Sequence, residues 1–464
     1  MTLIKSISGI RGTIGGKVGK NLTPVDIVKF VSAYGQLVKE EIVKSRYSIV
    51  IGRDARISGK MIQDLVINTL IGMGIDIINL NLSTTPTVEI AVKKEKADGG
   101  IIITASHNPE QWNALKFLDS NGEFLNAHKG EELVRLSESE NISFAPNNNI
   151  GSIFLNDNYF DKHIDLVFNL DLVNVDIIRK QKYKVVLDAV NSTGGLIIPK
   201  MLEKLNISVV KLNCEPDGKF AHNPEPLKEN LSALSEKVIS SGADFGIAVD
   251  PDVDRLAFVD NEGHTFGEEY TLVACADFVL SHKIGNTVSN LSSTRALSEI
   301  TTKHGGNYYA SAVGEVNVVQ KMKATNSVIG GEGNGGIILP ELHYGRDALV
   351  GIVLFLNLLA EKKITVSNLK KTYPIYFMSK KKLDLNVKFN FNQLIKLVKS
   401  KYGDQKISTV DGVKIDFPDS WVHLRTSNTE PILRIYSEAK TQEKADELAN
   451  DFISEIGVLQ QFEI

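Results

Sequence analysis

The chain has 464 residues, 42% of them hydrophobic and 23% charged, with a net charge of −4 and only two cysteines, Cys214 and Cys275. That length exceeds a single hydrophobic core and predicts two to four domains. The slight acidity attracts neither nucleic acid nor an anionic membrane, two cysteines make neither a disulfide framework nor a zinc site, and no uncharged apolar run reaches the ~18 residues of a membrane span. The expectation is a cytoplasmic, multidomain protein that holds any anion by a local constellation.

Near the start, Ser6-Ile7-Ser8-Gly9-Ile10-Arg11-Gly12 reads as a glycine-flanked turn that holds one fixed cation, Arg11. Thr23-Pro24-Val25-Asp26 opens a helix, with an N-cap threonine, proline at the first position and an acid in the first turn. A strand (Tyr47 to Ile51), a helix (Lys60 to Leu70), a strand (Ile75 to Leu82) and a helix after Pro86 lead to the apolar run Gly100 to Ile103. That run empties into Thr104-Ala105-Ser106-His107-Asn108-Pro109, so Ser106 is presented just past the carboxyl end of a buried strand. A serine there can be a nucleophile, a phosphate carrier or a hydrogen-bonding turn residue.

The same order recurs twice. Strands at Lys184 to Leu187 and Ile207 to Leu212, with helices at Leu196 to Leu205 and Leu227 to Ile239, precede the strand Phe245 to Val249 and Asp250-Pro251-Asp252-Val253-Asp254-Arg255. A helix from Glu268, strands at Thr287 to Leu291, Asn307 to Val313 and Ser327 to Ile329, and intervening helices end at the loop Gly330 to Gly336. Alternation of this kind predicts parallel, helix-covered sheets, and the threefold order predicts an internal triplication. After a boundary near Thr372-Tyr373-Pro374 the pattern changes: strands at Leu383 to Val387, Ile407 to Val410, Val413 to Phe417 and Ile432 to Tyr436, then a helix from Gln442 to Ile456, suggest an antiparallel sheet.

Asp250, Asp252 and Asp254 alternate, and their carboxylates can converge only around a cation; hard oxygen ligands point to magnesium. An EF-hand fails, because Arg255 occupies the glycine position and Asn261 the glutamate position. A solvated acidic turn is the remaining alternative. The loop Gly331-Glu332-Gly333-Asn334-Gly335-Gly336 matches a dinucleotide fingerprint in form, but Pro340 comes too soon for the required helix and Glu332 would repel a pyrophosphate. A carboxylate and an amide there suit sugar hydroxyls, or the loop is a ligand-free turn. Arg425, Ser427, Asn428, Thr429 and Arg434 offer guanidinium groups, hydroxyls and turn amides for a phosphate nest. Gly-x-Ser-x-Gly is absent, so no hydrolase elbow surrounds Ser106.

Ala105-Ser106-His107-Asn108-Pro109, the Asp-x-Asp-x-Asp-Arg run, Gly-Glu-x-Asn-Gly-Gly and Arg-x-Ser-Asn-Thr-Glu-Pro stand in the order found in the α-D-phosphohexomutases. The chain resembles that family of phosphoglucomutases, phosphomannomutases and phosphoglucosamine mutases along its whole length. The resemblance implies three similar mixed or parallel α/β/α domains (1–150, 151–258, 259–371) and a C-terminal α+β domain (372–464) around a central cleft. It implies that Ser106 is a phosphoserine whose phosphoryl oxygen, with Asp250, Asp252 and Asp254, holds Mg2+, and that Arg255 and Arg11 steady the phosphoryl group. Lys116 would serve in acid–base work with help from His107; Glu332, Asn334 and Gly335 would bind the sugar; and Arg425, Ser427, Asn428, Thr429 and Arg434 would grip the phosphate that is not reacting. A hexose 1,6-bisphosphate is implied as intermediate and activator, a small sugar phosphate as partner, and a monomer or homodimer as the assembly.

There are departures: Ser6-Ile7-Ser8 replaces the commoner Phe-Gly-Thr, Pro251 a frequent glycine, and Asn334 and Gly336 stand where many members have serine and histidine. Val313-Gly314-Glu315 resembles the corresponding stretch of phosphoglucosamine mutases, so Glu315 is expected to complement a sugar ammonium, unless it is an ordinary helix-start acid. The expected reaction is interconversion of glucosamine 6-phosphate and 1-phosphate. The alternatives are a phosphoglucomutase/phosphomannomutase of broad specificity and a non-catalytic sugar-phosphate sensor.

Overall fold

The computed structural model describes residues 2–6, 9–41, 44–139, 141–385, 390–426 and 432–462. Three sheets repeat one plan. In the first, β1 (Ile4–Ser6), β2 (Gly9–Thr13), β3 (Tyr47–Arg53), β4 (Ile75–Leu82), β5 (Gly99–Ile103), β6 (Trp112–Leu118) and β7 (Ile153–Leu155) lie in the order β1-β2-β6-β5-β3-β4-β7. The second sheet takes β8 (Lys184–Asp188), β9 (Ser208–Leu212), β10 (Phe245–Val249) and β11 (Leu256–Val259) in the order β11-β10-β8-β9. The third takes β12 (Asn286–Asn290), β13 (Tyr308–Ser311), β14 (Ser327–Glu332) and β15 (Gly336–Ile338) in the order β13-β12-β14-β15. Each repeat is thus three parallel strands followed by one antiparallel strand, and the triplication expected from element order is present at the level of topology. In every repeat the turn between the last parallel strand and the antiparallel one holds residues singled out in the sequence: Ser106, the aspartate run, or Glu332 at the end of β14.

Several expectations shift. The Arg11 segment is not a loop but β2, paired antiparallel with β1 and β6. Glu332 ends a strand and Gly336 begins one, so the glycine-rich turn is three residues long. The helix expected over Leu227 to Ile239 is a 3-10 turn (Lys228–Asn230) followed by a helix at Ser232–Ser241. The first sheet reaches Leu155, past residue 150, because β7 pairs with β4.

Helix Ala348–Lys362, apolar on every side, is buried along all but its last two residues and packs on helix Glu268–His282 and on helices Tyr159–Phe168 and Val175–Gln181. One apolar core therefore runs through the second and third repeats, taking in Phe245, Phe258, Phe266, Phe355, Tyr373 and Tyr376. The last sheet is antiparallel as expected, ordered β16-β20-β19-β18-β17 from β16 (Phe377–Asp384), β17 (Lys406–Ser408), β18 (Val413–Asp416), β19 (Trp421–Thr426) and β20 (Ile432–Ala439). It has its own core around Leu394, Ile415, Leu424 and Phe452. Its first strand lies earlier than the expected Leu383 to Val387, of which residues 386 and 387 are outside the described residues. Among the described residues, no helix is long and apolar enough to cross a membrane.

Candidate active site

Ser106 is almost fully buried in a left-handed conformation, φ +48°, which costs a non-glycine residue free energy unless its surroundings enforce it. They do. Its N–H donates to Thr104 Oγ1 (2.9 Å), whose hydroxyl donates to Asp54 (2.6 Å). Arg56, fully buried and ion-paired with Asp54 (3.1 Å), donates to the carbonyls of Ser106 (2.5 Å), Asn108 (2.6 Å), Pro109 (2.7 Å) and Trp112 (2.9 Å). One guanidinium thus fixes the loop at four points. Sequence reading passed over Arg56; the available signal was Asp54-Ala55-Arg56, charged residues just beyond a buried strand.

The Ser106 hydroxyl donates to Asp250 Oδ2 at 2.7 Å, across from the first repeat to the second. Asp250, Asp252 and Asp254 are all buried, and one carboxylate oxygen from each lies within 4.8 Å of the others. Burial first, and then the charges of Asp254 and Asp252, push Asp250 well above its usual range. Burial would do the same to Asp252, but Lys116 (2.8 Å) and the Thr85 hydroxyl (2.6 Å) hold it below its usual range. Asp252 Oδ1 and Asp254 Oδ1 are buried with no hydrogen-bond partner. Unsatisfied buried carboxylate oxygens are costly, and a divalent cation with a preference for oxygen ligands fits this donor set. A solvated acidic turn does not describe it.

Lys116, on β6, has burial working against its charge, yet Asp252 and Asp254 raise its pKa, so it is an ammonium. His107 lies with Nδ1 3.5 Å from Ser106 Oγ; burial, then Arg255 and Arg346, push it well below its usual value, leaving a neutral imidazole. Arg255 donates to Glu225 (2.6 Å), and its buried Nε has no hydrogen bond, only a 3.9 Å ion pair with Asp254 Oδ1. Arg11 likewise has a buried Nε with no hydrogen bond, and burial together with the charge of Arg434 pushes its pKa down. Arg425 and Arg434 are cross-strand partners on β19 and β20, with Arg425 donating to Asp411 (3.3 Å). Two guanidinium groups on adjacent strands, with the charge of Arg434 felt at Arg11, suit a dianion. Ser427, Asn428 and Thr429 lie outside the described residues.

Glu332 accepts from Asn290 (2.9 Å), the Gly314 N–H (3.1 Å) and Arg346 (3.0 Å), and Asn334 is 3.5 Å from it. Gly335 acts through its backbone: its carbonyl accepts the Leu256 N–H (3.1 Å), and at φ +84° a Cβ would sit 2.1 Å from the Leu256 carbonyl oxygen. The carboxylate of Glu315 is engaged by the Nε (2.9 Å) and backbone N–H (3.3 Å) of Arg346, another residue that sequence reading missed. Nothing in the spacing of Tyr344-Gly345-Arg346-Asp347 announced it.

Family models agree with this division of the chain. Those described as phosphoglucomutase/phosphomannomutase α/β/α domains I, II and III match residues 3–142, 158–263 and 267–376, and the C-terminal domain matches 384–455. A protein of Thermococcus kodakarensis named phosphoglucomutase/phosphomannomutase is 37% identical over 94% of this chain and 96% of its own. A Sulfurisphaera tokodaii protein named phosphoglucosamine/phosphogalactosamine mutase is 32% identical over 96% of both. The crystal structure of a phosphoglucomutase/phosphomannomutase family protein of Burkholderia thailandensis superposes with a TM-score of 0.82 at 25% identity, covering 97% of each chain. Matched in all four of its domains and along nearly the full length of these relatives, the chain belongs to the α-D-phosphohexomutase family.

Proposed function

We propose that the protein interconverts the 6- and 1-phosphates of a hexose, with glucosamine as the preferred sugar, through a phosphoserine at Ser106. One observation carries this reading: a buried serine hydroxyl 2.7 Å from the first of three clustered buried aspartates, with a lysine ammonium on the second. Asp250, Asp252 and Asp254, with an oxygen of the phosphorylated serine, would hold Mg2+, which supplies charge stabilisation to the transferring phosphoryl group.

The phosphoryl group leaves Ser106 as its Oγ–P bond breaks and a new P–O bond forms to the free sugar hydroxyl, giving a 1,6-bisphosphate. The proton of the sugar hydroxyl ends on the departing serine oxygen, with Lys116, held on Asp252, in acid–base work and His107, 3.5 Å from the serine oxygen, assisting at that side. The Nε groups of Arg255 and Arg11, which make no hydrogen bond, suit the equatorial phosphoryl oxygens. The bisphosphate turns over, and its other phosphate returns to Ser106 by the reverse step. Arg425 and Arg434 hold whichever phosphate is not reacting.

For the sugar, Glu315 and Glu332 share the single guanidinium of Arg346, an excess of negative charge that favours an amino sugar. The name of the Sulfurisphaera relative supports the same choice. The name of the Thermococcus relative supports a second reading, broad specificity for glucose and mannose phosphates. Phosphorus NMR of the protein with Mg2+, a 1,6-bisphosphate and each hexose 6-phosphate separates these. The highest kcat/KM is expected for glucosamine 6-phosphate; equal values would select broad specificity, and no turnover would leave a sugar-phosphate sensor. Ser106→Ala should lower kcat by at least about a thousandfold while sugar-phosphate binding by calorimetry persists.

A further inference from the structure

We propose that Arg346 is a positioning residue that joins the metal site to the sugar site, restraining cation affinity at Asp254 while holding Glu332 and Glu315 for the sugar. The proposal rests on the reading above of the aspartate triad as a metal site and of Glu332 as a sugar ligand. Its basis is geometric. Three donors of one guanidinium reach three carboxylates from three different segments: Nη2 to Asp254 Oδ2 (2.6 Å), Nη1 to Glu332 Oε2 (3.0 Å) and Nε to Glu315 Oε2 (2.9 Å). The planar fork of arginine can span three acceptors in this way, and the single ammonium of lysine cannot.

The backbone that follows Arg346 is pinned. Asp347 N–H donates to the Ile337 carbonyl (2.8 Å) and Ala348 N–H to the Val253 carbonyl (3.2 Å), one in the sugar-side strand and the other inside the aspartate run. The side chain crosses directly over Gly336, where a Cβ would lie 2.3 Å from Arg346 Cδ. Position 336 therefore has no side chain because the guanidinium needs the space, and Gly336 is not at positive φ, so its backbone would tolerate alanine.

Two consequences follow. Arg346 occupies Asp254 Oδ2, near which Lys116 also lies (3.8 Å), and leaves for a cation Oδ1, which has no hydrogen bond and only a 3.9 Å ion pair with Arg255 Nε, so Asp254 offers one oxygen rather than two. A fixed positive charge this close to a ligand oxygen also repels the cation, so metal affinity is lower than the three aspartates alone would give. On the other side, Arg346 keeps two like-charged carboxylates, Glu332 and Glu315, together.

The test is isothermal titration of Mg2+ alone into the full-length protein and three variants, with steady-state kinetics alongside. Arg346→Gln is expected to bind Mg2+ about tenfold more tightly, the direction opposite to that of a damaged site, while KM for the sugar phosphate rises about tenfold or more. Arg346→Lys should return Mg2+ affinity to within about threefold of the wild type but leave KM high. Gly336→Ala keeps the charge, displaces the side chain and should also raise KM. Unchanged or weaker Mg2+ binding by Arg346→Gln, or an unaltered KM in Arg346→Gln and Gly336→Ala, overturns the proposal. If Arg346→Gln does not fold, an unaltered KM in both Arg346→Lys and Gly336→Ala overturns it. Wild-type protein that turns over no hexose phosphate sinks the functional reading instead, and the Mg2+ titrations still decide whether Arg346 restrains the metal site.

Discussion

Among the described residues, buried Arg56 pairs with one carboxylate, Asp54, and its charge is met by that pair, by four backbone carbonyls of the Ser106 loop and by the face of Phe220. Removing one member of a buried pair strands the other. Arg56→Ala is expected to destabilise the protein by ~3–5 kcal/mol in denaturant titration and to lower kcat more than it weakens sugar-phosphate binding. A second buried set titrates. His343 lies between Asp347 (3.3 Å) and Glu89 (3.3 Å), and His163 bonds the same Asp347 (2.9 Å) and the Thr87 hydroxyl (2.9 Å). Burial would lower His343, but Asp347 and Glu89 raise it to about 9; burial raises Glu89 to about 8. Both folded-state values exceed the unfolded ones, so the native protein binds more protons than the unfolded chain. The stability that His343 contributes is complete below pH 6.5 and lost as pH rises through about 9; Glu89 adds a loss in the same direction between pH 4.5 and about 8. Melting temperature should therefore fall between pH 6.5 and 9, and Glu89→Gln should flatten that slope. A slope unchanged in Glu89→Gln would remove Glu89 from the effect.

At the scale of elements, three copies of one turn bring together a serine, three aspartates and a glutamate. Gly335 shows how closely those turns are packed. A Cβ at that residue meets the Leu256 carbonyl oxygen at 2.1 Å and the backbone is at φ +84°, so Gly335→Ala must separate the sugar turn from the strand that follows the aspartates. A loss of ~1–3 kcal/mol is expected from the strained backbone, and a rise in KM should accompany it, both measurable on purified protein. Much of this arrangement was legible in advance. Apolar runs ending in Ser106, Asp250 and the Glu332 turn marked the last parallel strand of each repeat, and their order revealed the triplication. The antiparallel strands that close each sheet were not legible: β11 and β15 have four and three residues, all buried, and carry no period-2 alternation. Helix Ala348–Lys362 was missed for a related reason, since a helix apolar on every side has no amphipathic stripe. Arg346 escaped because its three carboxylate partners lie 14 to 92 residues away in sequence, and Arg56 because the carbonyls it holds lie about 50 residues on, although its pair with Asp54 was local.

For the whole molecule, the contrast between apolar and polar junctions determines what can move. The second and third repeats share one core, whereas the last sheet has its own and meets the third repeat mainly through polar contacts. Arg295 donates to the carbonyls of Phe417 (3.1 Å), Pro418 (2.9 Å) and Ser420 (2.9 Å); Ser292 pairs with His423 (2.9 Å); and the Val313 N–H donates to Asp411 (2.9 Å). The connection itself is anchored, because the Tyr270 hydroxyl donates to the Pro374 carbonyl (2.8 Å) and accepts from the Tyr376 N–H (2.8 Å). We therefore propose Tyr376–Phe377, a few residues beyond the proline-marked boundary, as the pivot of such a motion. On the proposed mechanism a bisphosphate would present both ends in turn to Ser106, for which the sheet bearing Arg425 and Arg434 would swing away and return, and polar contacts are exchanged for water at little net cost. Arg295→Ala removes three of those contacts, together with ion pairs to Asp416 (3.7 Å) and Glu438 (4.0 Å) and a cation–π contact over Tyr376 at the edge of the core (5.9 Å). It should enlarge the radius of gyration in X-ray scattering and raise KM five- to tenfold, about 1 kcal/mol, with the main melting transition unmoved. An unchanged scattering profile together with an unchanged KM would mean that Arg295 does not hold the last domain in place.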